Sequence, residues 1–284
     1  TGAYVGEFGW GPVEEVRTVT SGKGLVDLFG EPDSTNIAAE HFYPAAMFLD
    51  YGIDLKVVRV ATTGMVNATT TSGQSLLIKN LSHYRANYND GSAAVGEYGA
   101  RYAGALGNSL KISSCGGANA YAQSAVTTTN GTSLKGGTSI EVTLGEKFVI
   151  GDIITAIGSD TTRYKVSAIS YDSGSTGAAT VTIAQEDDST QGLDAAVASS
   201  ASINREWEYA NQFNGAPGTS SYASTRASAG ASDELHIVVI DEDGSISGQV
   251  GTILEKFESV SKASDGKTPQ GDSNYYSEVI YKSS

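Results

Sequence analysis

Two hydrophobic periods follow one another in the first sixty residues, and their order predicts a complete α/β unit. Residues 3–8 are a short apolar run cut off by Gly9, Gly11 and Pro12. Glycine supplies backbone freedom and proline a fixed φ, so the pattern predicts a strand and then a sharp loop. Ser21 has the hydroxyl of an N-cap, Leu25, Val26, Leu28 and Phe29 recur at helical spacing, and Gly30 followed by Pro32 is a helix stop. A second helix is predicted from about Thr35. Its apolar stripe runs through Ile37, His41, Ala45, Phe48 and Leu49 to a stop at Gly52, with Pro44 either kinking it or opening its second half. Residues 55–60 are too few and too β-branched for a helix, and read as a buried strand beside the first.

Beyond this unit the pattern weakens. Residues 61–99 hold one short apolar piece (Leu76, Leu77, Ile78, Leu81) among Thr, Asn, Ser and Gly, which predicts an excursion from the sheet. A strand is predicted over 110–114, then a long Gly-, Ala-, Ser- and Thr-rich surface loop over 115–137. From Ser139 the period becomes two: Ile140, Val142 and Leu144 alternate with polar residues, as do Tyr164, Val166 and Ala168, and Val181 and Ile183 close the series. Short strands at such spacing predict a compact barrel or sandwich. Residues 236–240 and 249–257 read as paired strands joined through Asp241-Glu242-Asp243-Gly244, which has hairpin-turn chemistry, and 275–281 as a strand or short helix. The fold class predicted is α/β (α+β): a parent domain from 1–62, 100–138 and 200–284, a loop excursion over 63–99, an inserted small all-β module over 139–184, and a linker over 185–199.

Composition narrows the function classes. Eighteen basic against 32 acidic residues give a net charge of −14. Phosphate binding needs clustered Lys and Arg, so the balance argues against nucleic acid, though it is also that of an ordinary acidic surface. The 34 glycines and five prolines favour many short strands and turns over long helices. A single cysteine, Cys115, excludes an internal disulfide framework. No apolar run approaches the ~20 residues of a membrane span, so no membrane insertion is expected. Thr1 in place of an initiator Met, and the polar end at Ser284, suggest a fragment.

Candidate chemistry is sparse. Asp172-Ser173-Gly174 has the form of an aspartic protease loop, but that chemistry needs a second such carboxylate and none appears; the triplet is also good hairpin chemistry. Asp241, Asp243 and Gly244 open like a calcium loop, yet the spaced ligands ending in Glu are missing. Cys115 would need His41, His83 or His236, each in a different predicted element. No catalytic, cofactor or metal residue is assigned. Trp10, Tyr84, Tyr88, Tyr222, Tyr275 and Tyr276 fall in predicted loops or element ends, and are the interface candidates, because such rings combine contact area with a polar tip. Local packing under loops is the alternative for each.

Gly6-Glu7-Phe8-Gly9-Trp10-Gly11-Pro12, the helix end Leu28-Phe29-Gly30-Glu31-Pro32, the helix end Phe48-Leu49-Asp50-Tyr51-Gly52 and the strand Val57-Val58-Arg59-Val60 resemble, in that order, the contractile tail sheath proteins of bacteriophages. The segment from Arg101 to Asn108, the paired strands over 235–257 and the stretch from Ser273 to Ile280 are similar to later parts of the same family. The resemblance implies a structural subunit, not an enzyme, without cofactor. It would polymerise with itself in stacked rings around the tail tube protein and contract to drive the tube through the host envelope. It would be assembled in the host bacterial cytoplasm as part of the virion, with baseplate and tail terminator proteins as further partners. The family's N-terminal arm and C-terminal domain are expected to lie outside this sequence. The alternatives are the sheath of a related contractile injection system, or a β-rich adhesin or carbohydrate-binding surface protein.

Overall fold

The structure is a computed structural model that describes residues 1–32, 37–71, 73, 75–88, 96–226 and 231–283. The chain is mixed α+β and strand-rich, and it divides into two compact units: Thr1–Ile112 with Val239–Leu254, and Ser113–Val238 with Glu255–Ser284.

In the first unit, strands β1 (Gly2–Gly6), β2 (Val16–Val19) and β3 (Leu55–Arg59) form a sheet in the order β1-β3-β2, with β1 and β3 parallel and β2 antiparallel to β3. Helices α1 (Gly22–Phe29) and α2 (Ile37–Tyr51) connect them. The caps of α1 are those its sequence predicts: Ser21 Oγ accepts from Gly24 N at 3.1 Å, and Gly30, at φ 80°, donates its N–H to Val26 O. Leu25 and Phe29 from α1 and Phe42, Ala45 and Leu49 from α2 bury against Phe8, Val19, Leu55 and Val57. The expected start of α2 at Thr35 and the Ile37 side chain lie outside the described residues. The helix runs unbroken through Pro44, so the proline does not open a second helix.

Two expectations for α2 need correction. The inward stripe is Ala39, Phe42, Ala45 and Leu49, while Phe48 is 39% exposed. Its ring lies across the backbones of Gly2 and Gly52, where an added Cβ would meet ring atoms at 2.5 and 2.7 Å. His41 is only partly buried and pairs its Nδ1 with Tyr4 Oη at 3.3 Å.

The stretch 61–99 contains β4 (Asn67–Thr69) and α3 (Leu81–Asn87), and β4 pairs with β5 (Gly99–Ala103) in a two-stranded ribbon. Asn67, buried, holds this excursion: its Nδ2 donates to Ala100 O and its Oδ1 accepts from Ile78 N, so the burial leaves no orphaned amide. The strand expected at 110–114 is β6 (Leu110–Cys115).

The second unit corrects the reading of 115–137 as a surface loop. That stretch includes α4 (Ala118–Tyr121) and β7 (Ala122–Thr128), with Val126 buried. With β8 (Ser139–Val142), β9 (Ile153–Ile157), β10 (Tyr164–Tyr171), β11 (Ala179–Gln185) and β12 (Ser202–Glu206), β7 makes an antiparallel sheet in the order β7-β12-β9-β10-β11-β8. Its two end strands meet. Thr129 bridges Val142, Thr143 N donates to Thr128 O and Asn130 N to Glu141 O, which closes the sheet into a barrel. The segment 139–184 supplies β8 to β10 and most of β11, while β7 and β12 come from either side of it. Leu193 and Val197, from 185–199, are buried in the barrel core with Ile140, Ile154, Val166, Val181 and Ile203.

Helix α5 (Ser221–Arg226) and strands β13 (Glu234–Asp241) and β14 (Thr252–Ser261) follow, the strands forming a sheet in the order β14-β13-β6. The connection between β13 and β14 is longer than the tight turn expected at 241–244. The Asp241 carboxylate accepts from Ile246 N, from Ser247 N and from Ser247 Oγ, and Asp241 O accepts from Gly251 N, so one buried side chain organises the whole loop. The last element is helix α6 (Tyr276–Ser283). Among the described residues, no helix is long and apolar enough to cross a membrane.

Candidate assembly surfaces

The residues with the strongest chemistry serve packing. Cys115 is 1% exposed, its thiol faces Gly117 O at 3.6 Å, and burial pushes its pKa up, the opposite of what a nucleophilic thiolate needs. His236 is buried between Gly215 O and Ser259 N and stacks on Phe213 with ring centroids 4.2 Å apart. Because Ser259 N–H donates to Nδ1, the ring proton sits on Nε2 and points at Gly215 O. Asp172 lies exposed in the loop between β10 and β11. Ser109 Oγ is hydrogen-bonded to both Asp241 and Asp243. Burial alone would raise the pKa of Asp241, but the donors from Ser109, Ser247 and Ile246 outweigh it and lower it to about 2. Among the described residues no group of three or more His, Cys, Asp or Glu could hold a metal ion.

The six aromatic candidates are all partly buried. Trp10 meets Tyr102 edge-on at 5.5 Å and donates its backbone N–H to Phe29 O. Tyr84 stands on α3, and Tyr88, the C-cap of that helix, lies 5.7 Å from the His83 ring. Tyr222 carries the Arg226 guanidinium 4.0 Å above its ring and directs its hydroxyl at Asp265. Tyr275 and Tyr276 pack against each other at 5.1 Å. The structure thus pairs two of the six, and gives Trp10, Tyr88 and Tyr222 neighbours outside the set. Three of the candidates belong to the first unit and three to the second.

A more open apolar surface lies elsewhere. On α2, Tyr43, Met47 and Tyr51 recur every four residues, 53, 63 and 95% exposed, and Ile53 just beyond the helix is 84% exposed. Residues at that spacing share one helix face, and it is the face opposite Ala39, Phe42, Ala45 and Leu49. Helix α2 therefore carries apolar residues on two faces, of which one is packed against the sheet. The signal is present in the sequence, where both stripes can be drawn on one wheel, but a search for a single inward stripe passes over the second.

Residues 1–60, the β1-to-β3 layer, match the family described as tail sheath protein Gp18 domain III, N-terminal region. The chain is 37% identical over 83 residues to a tail sheath protein of Enterobacteria phage T4, covering 29% of this chain and 12% of the relative. It is 46% identical over 69 residues to one of Vibrio phage KVP40 (24% and 10%), and 36% identical over 115 residues to one of Salmonella phage ViI (40% and 17%). The matched stretches therefore span less than a fifth of each relative.

Proposed function

We propose, from the premise that this chain is kin to phage tail sheath proteins, that it is part of the structural subunit of a contractile tail sheath. In this reading the subunit polymerises in stacked rings around the tail tube protein, between baseplate and tail terminator proteins. It assembles in the bacterial cytoplasm, and its contraction drives the tube through the host envelope during genome ejection. The observation that carries the reading is the coincidence of the matched residues 1–60 with a layer that has its own core. A head-to-tail contact that does not close generates a helix of subunits. Stored energy then requires only that the extended lattice be metastable with respect to a contracted one.

The fold is divided in this proposal as an α/β sheath domain with the closed all-β barrel inserted into it, the insertion running from β7 to β12 instead of from residue 139. The α2 stripe of Tyr43, Met47 and Tyr51 is assigned to contact with a second copy of the chain. Trp10, Tyr84, Tyr88, Tyr222, Tyr275 and Tyr276 are proposed as rim positions, where a ring held by local neighbours adds contact area at little entropic cost. The subunit is proposed to have no catalytic role. Antibody raised against residues 1–284 should decorate the tail shaft of the parent phage along its length, before and after contraction, in electron micrographs. Decoration confined to fibres or capsid, together with glycan binding on an array, would replace the sheath reading with that of an adhesin.

A further inference from the structure

The barrel closes at a seam that ends in a chemically reactive pair. Thr143 N donates to Thr128 O at 2.9 Å and Asn130 N to Glu141 O at 2.8 Å, and the hydroxyls of Thr128 and Thr143 meet at 2.9 Å. The chain then leaves as Asn130-Gly131-Thr132 and is anchored again at Ser133, which exchanges both backbone hydrogen bonds with Val197. Asn130 is exposed, and among the described residues its side-chain amide has no hydrogen-bond partner, nor have the backbones of Gly131 and Thr132. Gly131 has no Cβ to shield its nitrogen, and a Cβ there would meet Glu141 Oε2 at 2.9 Å. The other Asn-Gly pair, Asn214-Gly215, is held differently. Gly215 O accepts from His236 Nε2 at 2.8 Å, and Phe213 on the other side stacks on the same buried ring.

We propose that Asn130-Gly131 is a site of spontaneous deamidation, with water as co-reactant, and that its product unlocks the barrel seam. Gly131 N gives its proton to solvent base and attacks Asn130 Cγ. The new N–Cγ bond closes a five-membered imide as the Cγ–Nδ2 bond breaks, and the Nδ2 amine takes up a proton and leaves as ammonia. Water then opens the imide at either carbonyl, which leaves an aspartate or an isoaspartate at position 130. Either product sets a carboxylate at the seam beside that of Glu141, where like charges repel. The isoaspartate also routes the main chain through the former side chain, so the pairing of Asn130 with Glu141 falls out of register. Closing the imide requires the Asn-Gly peptide to rotate. The unanchored Gly131 and Thr132 permit this, and the pinned carbonyl of Gly215 opposes it. The inference is independent of the sheath reading.

The test incubates the 284-residue chain at mildly alkaline pH and follows its peptide masses beside those of a free peptide spanning residues 127–133. The segment holding Asn130 should gain the mass difference between an amide and an acid and split into two chromatographic forms. Its rate should lie within about fivefold of the free peptide, because no local unfolding has to precede reaction, and Asn214 should react at least about fivefold more slowly than Asn130. Slower reaction at Asn130 than that, or Asn214 keeping pace with it, would overturn the assignment. Exchange of the Thr143 amide hydrogen, which donates across the seam, should be at least about tenfold faster in the deamidated chain. It should keep the parent rate in Asn130→Gln incubated alike, since the longer side chain closes its ring far more slowly. Unchanged exchange in the deamidated chain would overturn the coupling to the seam.

Discussion

Arg59 tests how the first unit is held together, because two large effects oppose each other there. The side chain leaves the last residue of β3 and is 1% exposed. Its Nε donates to Phe8 O and its Nη1 to Gly11 O, both at 2.7 Å, which pins the loop after β1 to the strand beside it. Neither partner is a carboxylate. Burial accordingly lowers its pKa well below the ordinary guanidinium value, to about 10. At about 1.4 kcal/mol for each pKa unit, the buried charge costs roughly 3 kcal/mol. Against this stand two charge-assisted hydrogen bonds, each worth about 1.5 to 3 kcal/mol, and two carbonyls that would be stripped of a partner at about 1 to 3 kcal/mol each.

Replacing Arg59 with Met keeps the stem and removes charge and donors together, so the balance predicts a loss of at least about 2 kcal/mol. Arg59→Lys should be no better. It retains the desolvated charge but lacks the fork that reaches two carbonyls at once. The measurement is the urea midpoint, followed by tryptophan fluorescence in a Trp207→Phe background so that Trp10 alone reports, the chain having two tryptophans. An Arg59→Met chain as stable as the parent would show that the buried charge costs as much as its bonds return. Full rescue by Lys would show that charge, not geometry, is what the position requires.

Phe29, 1% exposed with its ring 4.7 Å from Phe8, should cost about 3 to 5 kcal/mol on replacement by Ala, and, on the proposed sheath function, should lower the yield of folded subunit without selectively blocking contraction. Normal stability with sheaths that cannot contract would make it a switch contact. The depressed pKa of Asp241 contributes stability that is full above its unfolded value of 3.8 and is lost as pH falls through about 2. Acid unfolding monitored between pH 4 and 2 should therefore be shallower in Asp241→Asn, and an unchanged profile would remove that carboxylate from the account. Met47→Asp lies on an exposed helix face and should change stability by no more than about 0.5 kcal/mol while, on the proposed function, abolishing polymers of the parent protein in electron micrographs. Normal polymers would exclude the α2 stripe as a subunit contact.

Much of the opening unit was legible from sequence because its signals are local, but strand β2 (Val16–Val19), whose hydrogen bonds come from β3 across both helices, was not. The Ser21 cap and the Gly30 stop act within one helical turn, and the two apolar periods differ between strand and helix. The similarity to sheath proteins was legible for the same reason, since its motifs are short and contiguous. What tertiary structure alone decided was every feature set by partners far apart in the chain. Strand β7 reads as loop because Ala, Gln, Ser and Thr dominate it; it becomes a strand because β12, some eighty residues on, supplies its hydrogen bonds. The loop between β13 and β14 is ordered by Asp241 together with Ser109, 132 positions earlier, which no turn rule could foresee. Phe48 reads as core from its spacing, yet Gly2 and Gly52 give its ring a resting place at the surface. Periodicity tells which residues seek burial, and only the folded chain determines which of them find it.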